Sequence, residues 1–222
     1  MYNMSNYLFK KGVGYVHSLF SKNNNGEKKA KHLLAKGDIN AYDAMKNSYA
    51  SQSDQAKFGA DKGFVYDSAL SNDNQQVYYN ADSGKLLYSI SGSHNVSDIK
   101  TDFDLMRGKL KDTKRYKEAE NTFSLAKQKY QPKETVAYGT SLGGGIASNL
   151  DADKIVTLNK ANAPFAKTGS REVAIRSHGD IVSLFGANAK HMNTISGGDL
   201  YNPMTWLSSH GSQVLKNKNL YI

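Results

Sequence analysis

Residues 139–143 read Gly-Thr-Ser-Leu-Gly and match the pattern G-x-S-x-G, in which the central serine can act as a nucleophile. An apolar, strand-like run precedes the pattern, and a glycine-rich stretch that can open a helix follows it. Small residues two positions away on each side let the chain turn sharply at Ser141. The first amides of the helix would then face the reacting carbonyl, so the amide of Leu142 is an expected oxyanion donor.

A serine nucleophile needs a general base, and the chain contains six histidines. Where a serine occupies this kind of turn, the chain order is serine, acid, histidine, which restricts the base to His178, His191 or His210. The acid is expected after a late strand, and Asp180 follows the predicted strand 173–176. Asp180 then leaves two candidates for the base. We prefer His210, in a polar, loop-like run, and His191 stays the alternative because it requires a tighter return of the chain.

The residue types also exclude other kinds of chemistry. The chain has no cysteine, which excludes disulfides, thiolate metal sites and a cysteine nucleophile. The late histidines lack a metal-binding spacing such as H-x-x-x-H, so we predict no metal. A serine nucleophile would form an acyl-enzyme, and water alone can hydrolyse that intermediate. We therefore predict no cofactor.

The elements that must position these residues predict an α/β fold. The expected strands are a hairpin over 77–90 and the runs 135–138, 155–158 and 173–176. The expected helices cover 6–22, 27–36, 38–52, 98–110, 114–130 and 141–150. Strands separated by helical segments indicate a mainly parallel sheet flanked by helices, with Ser141 at its C-terminal edge.

The charge balance favours an anionic partner. The chain has 29 Lys and Arg against 20 Asp and Glu, a formal net charge of +9. An anionic membrane surface fits this balance. Nucleic acid is disfavoured because the basic run 109–117 contains a single aromatic residue. The basic, amphipathic segment 6–22 could lie on a membrane or pack on the core. Neither a membrane-spanning helix nor a signal peptide is expected.

With these motifs in view, residues 60–215 resemble the class 3 lipase family, whose members have the α/β-hydrolase fold. The resemblance rests on the serine turn and on the strand end at 89–93, which is followed by Asp98 and by Thr101-Asp102. It implies that Ser93 supplies the second oxyanion donor through its backbone amide, helped by its hydroxyl. The chain departs from the family at Ser91, where Arg is frequent, and at Ile99, where Trp is frequent.

Within that family the chain looks most like small lipase-like proteins of virophages and of relatives of large DNA viruses. The runs 70–74, 83–88 and 109–117 carry this likeness. The helices predicted before residue 52 indicate a helical N-terminal extension over 1–59, and the resemblance implies an α/β-hydrolase domain over 60–222. The expected location is the host cytoplasm or the virion, peripheral to a membrane.

The resemblance implies a serine-dependent hydrolase that cleaves glycerolipid or phospholipid esters with Ser141, Asp180 and His210. A second hypothesis comes from another class. The chain could be a catalytically weak or inactive virion or membrane-binding protein that retains the hydrolase fold, and the departures at Ser91 and Ile99 keep that hypothesis open.

Overall fold

A mainly parallel sheet organises the protein, as the sequence predicts. The computed structural model describes residues 24–93, 109–161, 169–180, 182–183, 192–197 and 210–222. Seven strands in these ranges form one sheet whose spatial order follows the chain. They are β1 (Val65–Tyr66), β2 (Gln75–Asn80), β3 (Lys85–Ile90), β4 (Glu134–Thr140), β5 (Lys154–Leu158), β6 (Glu172–Ser177) and β7 (Met192–Ile195). The first three strands pair antiparallel and β3 to β7 pair parallel, so the fold is α/β-hydrolase-like.

The described α-helices are α1 (Asn24–Leu33), α2 (Ala41–Asn47), α3 (Gln52–Gln55), α4 (Lys114–Tyr130) and α5 (Ser141–Ala147). The predicted limits of α4 are confirmed. The single helix predicted over 38–52 is wrong, because Asn40 and Ser51 each cap a separate helix with their side-chain oxygens. The predicted helix 6–22 and most of 98–110 lie outside the described residues. No helix in the described ranges is both long and apolar enough to cross a membrane.

Each face of the sheet packs against a different set of helices. Leu86, Tyr88 and Ala137 point from β3 and β4 into one apolar cluster, which α4 and α5 cover. Leu87 and Val136 alternate with them and point into a second cluster on the other face. Connections between neighbouring parallel strands of a sheet have the same hand. Because the strand order follows the chain, these connections place their helices on the same face of the sheet. The other face therefore needs a cover from elsewhere in the chain.

Helices α1 and α2 supply that cover together with the C-terminal residues. Ala30 and Met45 are fully buried in the second cluster, and Leu220 is 2% exposed there. The tail pairs with the segment before α2, since the Ile39 carbonyl accepts a hydrogen bond from the Ile222 amide at 2.8 Å. The described part of the N-terminal segment thus packs directly on the sheet. The boundary at residues 59 and 60 stays a prediction.

A buried ion pair lies between the sheet and the C-terminal end of α5. The Lys160 ammonium lies 2.6 Å from the Glu172 carboxylate, and both side chains are 2% exposed. The same carboxylate accepts hydrogen bonds from Ser148 at 3.0 Å and from Thr157 at 2.7 Å. Glu172 therefore links β5, β6 and the end of α5 through one buried group.

We expect Glu172→Gln to destabilise the protein by about 3–5 kcal/mol, because the neutral amide leaves the Lys160 ammonium buried without a counter-charge. Urea unfolding measures the loss. Asp151→Asn is the matched control, since Asp151 forms an ion pair with Arg171 at 2.9 Å but is 80% exposed. Water screens that exposed pair, so the control should unfold close to the wild-type midpoint. Equal losses in the two variants would contradict the role of burial.

Candidate active site

Ser141 occupies a strained turn between β4 and α5. Its φ is +51°, in the left-handed region that residues with a side chain rarely adopt. It is the first residue of α5 and only 6% exposed. The sequence pattern predicts this strand–turn–helix geometry, and the backbone has it. The amide of Leu142 directly follows the serine at the start of the helix, as expected for an oxyanion donor.

Both glycines of the motif are required because a side chain at either position would collide with neighbouring backbone atoms. A Cβ added at Gly139 would lie 2.5 Å from the carbonyl oxygen of Gly143. A Cβ added at Gly143 would collide with the carbonyl oxygens of Ile90 and Ser91, at the end of β3. The backbone of α5 therefore rests directly on the end of β3, and this contact holds the serine turn beside the residues that follow that strand.

The turn after β3, residues 91–93, lies against Ser141. A Cβ added at Gly92 would stand 2.9 Å from the Cβ of Ser141. Ser93, the predicted second oxyanion donor, follows Gly92 and is half-buried. The amide of Gly92 already donates a hydrogen bond to the Tyr49 hydroxyl at 2.7 Å. Ser93 stays the oxyanion donor that the sequence predicts in this turn.

Asp180 and His210 form a hydrogen-bonded pair. The His210 Nδ1 atom lies 2.7 Å from Asp180 Oδ1, and the carboxylate is fully buried. Asp180 sits in the turn after β6, and it accepts hydrogen bonds from the amides of Val182 at 3.3 Å and Ser183 at 2.8 Å. Burial lowers the pKa of the Arg176 guanidinium, and the Asp180 charge partly offsets this change. The two backbone amides and the His210 imidazole together hold the Asp180 carboxylate in one orientation.

Asn159 supports this pair, and sequence reasoning missed it. Its Nδ2 group donates to the carbonyl oxygen of His210 at 3.0 Å and to the Ser177 hydroxyl at 2.9 Å. Its Oδ1 accepts the Ser177 amide at 2.7 Å. Asn159 directly follows β5 and has a φ of +47°, a conformation that asparagine tolerates better than most residues. An asparagine ending an apolar strand was the available signal.

His210 opens onto a groove of about 250 Å³ at this edge. The groove is lined by Lys46, Tyr49, Thr140, His210, Gly211 and Ser212. Thr140 immediately precedes Ser141, so the serine turn and the His210 imidazole border the same groove. A hydrogen bond from Ser141 to the His210 ring is not among the contacts that the described residues make. The alternative base, His191, lies outside these residues.

The described ranges contain no group of three or more His, Asp or Glu side chains that could hold a metal ion. The site within those ranges is thus a serine, an acid–imidazole pair and backbone amides. These groups can carry out acyl transfer, because they combine a nucleophile, a proton acceptor and donors for a developing oxyanion.

No protein-family model matches the sequence, and no curated protein matches it. Among solved structures, the chain is similar to the Lip2 lipase from Yarrowia lipolytica, with 15% identity and a TM-score of 0.49 over 80% of this chain and 82% of that one. It is also similar to a triacylglycerol lipase from Penicillium expansum, with 18% identity and a TM-score of 0.37 over 72% and 82% of the two chains. Neither structure is viral, so the likeness to virophage proteins stays a prediction.

We expect Gly143→Ala to destabilise the protein by roughly 1–3 kcal/mol, because the added methyl group has to displace the end of β3 or the serine turn. Thermal unfolding measures this. Gly169→Ala is the matched control, since no described atom lies within 4 Å of an added Cβ there. A folded Gly143→Ala variant with the melting temperature of the control would show that the close contact between α5 and β3 is not required.

Proposed function

We propose that the protein is a serine hydrolase that cleaves the acyl esters of glycerolipids or phospholipids. The observation that carries the proposal is the strained Ser141, at the same edge of the sheet as the hydrogen-bonded Asp180 and His210. Because β4 and β6 run parallel, the turns that follow them meet at that edge. A positive φ at a serine costs free energy, and such strain is concentrated at functional sites.

The chemistry follows from the arrangement of the pair. Asp180 accepts a hydrogen bond from the Nδ1–H group of His210 and remains ionised, which leaves Nε2 of the imidazole to take the proton of the Ser141 hydroxyl. The serine oxygen attacks the ester carbonyl, and the protonated imidazole returns its proton to the leaving alcohol. Water then attacks the acyl-enzyme with His210 again as the base. In this mechanism the Ser141 hydroxyl and His210 Nε2 come within hydrogen-bond distance when substrate is bound, as catalytic groups often do.

Two backbone amides stabilise the oxyanion in this mechanism. The amide of Leu142 lies at the positive end of α5, and the amide of Ser93 comes from the turn packed against Ser141. Both belong to elements fixed by the contact between Gly143 and the end of β3. The donors are therefore oriented before the reaction starts, which is the condition for a large electrostatic contribution to the rate.

The lipid part of the proposal rests on the charge around the site and on the resemblance to lipases. Arg115, at the start of α4, reaches the turn at Gly92, so this end of the helix lies at the catalytic edge of the sheet. Lys109, Lys111 and Lys114 are exposed beside it. These cations would hold the site against a bilayer that contains anionic lipids.

The first experiment asks whether Ser141 is a nucleophile. We expect an alkyl fluorophosphonate to label Ser141 covalently, and the wild type to hydrolyse nitrophenyl esters. Ser141→Ala should lose both label and activity, and Asp180→Asn should lower kcat by roughly 10⁴-fold, because the imidazole loses its orienting acceptor. Intact-mass spectrometry and ester hydrolysis are the measurements. A folded wild type with neither label nor hydrolysis would overturn the proposal and favour the non-catalytic hypothesis.

The second experiment concerns the membrane surface. We expect Lys111→Gln/Lys114→Gln to weaken binding to phosphatidylserine vesicles by roughly 30-fold at low salt, at about 1 kcal/mol for each cation. Vesicle sedimentation measures the binding. Lys62→Gln/Lys133→Gln removes the same charge at the opposite edge, where Lys62 contacts Asn80 and Lys133 contacts Gly84. Equal losses in the two variants would show that binding depends on net charge and not on this edge.

A further inference from the structure

Two side chains outside the proposed triad, from different parts of the chain, form hydrogen bonds with the turn after β3. Arg115 Nη2 donates to the carbonyl oxygen of Ser91 at 2.5 Å and to that of Gly92 at 3.2 Å, and it also reaches the Ser91 hydroxyl at 3.3 Å. Arg115 belongs to α4. The Tyr49 hydroxyl, just beyond α2, accepts the amide of Gly92 at 2.7 Å and pairs with the Thr140 hydroxyl at 2.6 Å.

These contacts determine the orientation of a peptide plane. The carbonyl of Gly92 and the amide of Ser93 belong to one planar trans unit, so they point in opposite directions. A side chain that holds the Gly92 carbonyl therefore also sets the direction of the Ser93 N–H group. If that carbonyl were released, the unit could rotate and the Ser93 amide would change direction.

We propose that Arg115 is a positioning residue that directs the Ser93 amide toward the oxyanion by holding the Gly92 carbonyl. Tyr49 holds the preceding peptide unit through the Gly92 amide. The proposal rests on the serine hydrolase function proposed above. It assigns a role to one residue of the basic run 109–117 that charge alone does not explain.

The arginine side chain is suited to this task. Its planar guanidinium presents several donors in a fixed geometry, so one group can hold two successive carbonyls. A lysine ammonium is a single point donor on a flexible stem and would hold the turn less well. The exposed neighbour Lys117 on α4 carries the same charge without contacting the turn, which makes it the matched control.

The test is steady-state hydrolysis of a soluble nitrophenyl ester. We expect Arg115→Ala to lower kcat by roughly 100- to 1000-fold, the effect of losing one oxyanion donor. KM should change little, because the donor acts in the transition state. Arg115→Lys should fall between wild type and Arg115→Ala, and millimolar guanidinium should restore part of the kcat of Arg115→Ala alone. Lys117→Ala should match the wild type.

Tyr49→Phe provides a second route if Arg115→Ala does not fold. It removes the hydroxyl that holds the Gly92 amide and the Thr140 hydroxyl, and we expect a smaller loss of kcat with KM unchanged. A folded Arg115→Ala with wild-type kcat, or Arg115→Lys and Tyr49→Phe both at wild-type kcat, would overturn the positioning role while leaving the hydrolase proposal intact. A wild type without phosphonate label or hydrolysis would overturn both.

Discussion

The close approach of α5 to the end of β3 is the constraint on which the candidate site depends. Helix backbone and strand backbone touch at Gly143 with no side chain between them. This contact brings the strained Ser141 within reach of the turn that carries Gly92 and Ser93. The candidate nucleophile and the proposed oxyanion donor, which follow separate strands, are thereby placed side by side, and the strained backbone of Ser141 lies against this contact.

The order of the strands explains why the N-terminal segment matters to the site. A sheet whose order follows the chain leaves one face bare, and α1 and α2 cover it. This layer does more than bury apolar surface, because Tyr49 extends from its edge to Gly92 and Thr140. Lys46 and Tyr49 also line the groove beside His210. The segment predicted as an extension thus supplies one wall of the candidate site.

Buried polar networks hold the remaining parts in place. Asp180 is satisfied by two backbone amides and the imidazole, and Asn159 ties the His210 backbone to the end of β6. At the C-terminal end of α5, the Glu172 carboxylate contacts Lys160, Ser148 and Thr157. Buried groups of this kind are costly unless every partner is present. The contacts of Asp180, Asn159 and Glu172 therefore join the ends of neighbouring strands and of α5 where the chemistry is proposed.

The sequence by itself determined the local features of the protein. The G-x-S-x-G spacing predicted a strained turn at Ser141. The runs of strand-forming residues predicted β2 to β6, and the polar, basic stretch 114–130 predicted α4, whereas β1 and β7 were not predicted. Chain order named Asp180 and preferred His210, which the structure joins by a hydrogen bond. Only the tertiary structure decided the contacts of Asn159, Tyr49 and Arg115. These residues act through contacts with backbone groups far away in the chain, and no local pattern encodes which carbonyl a side chain will meet after folding.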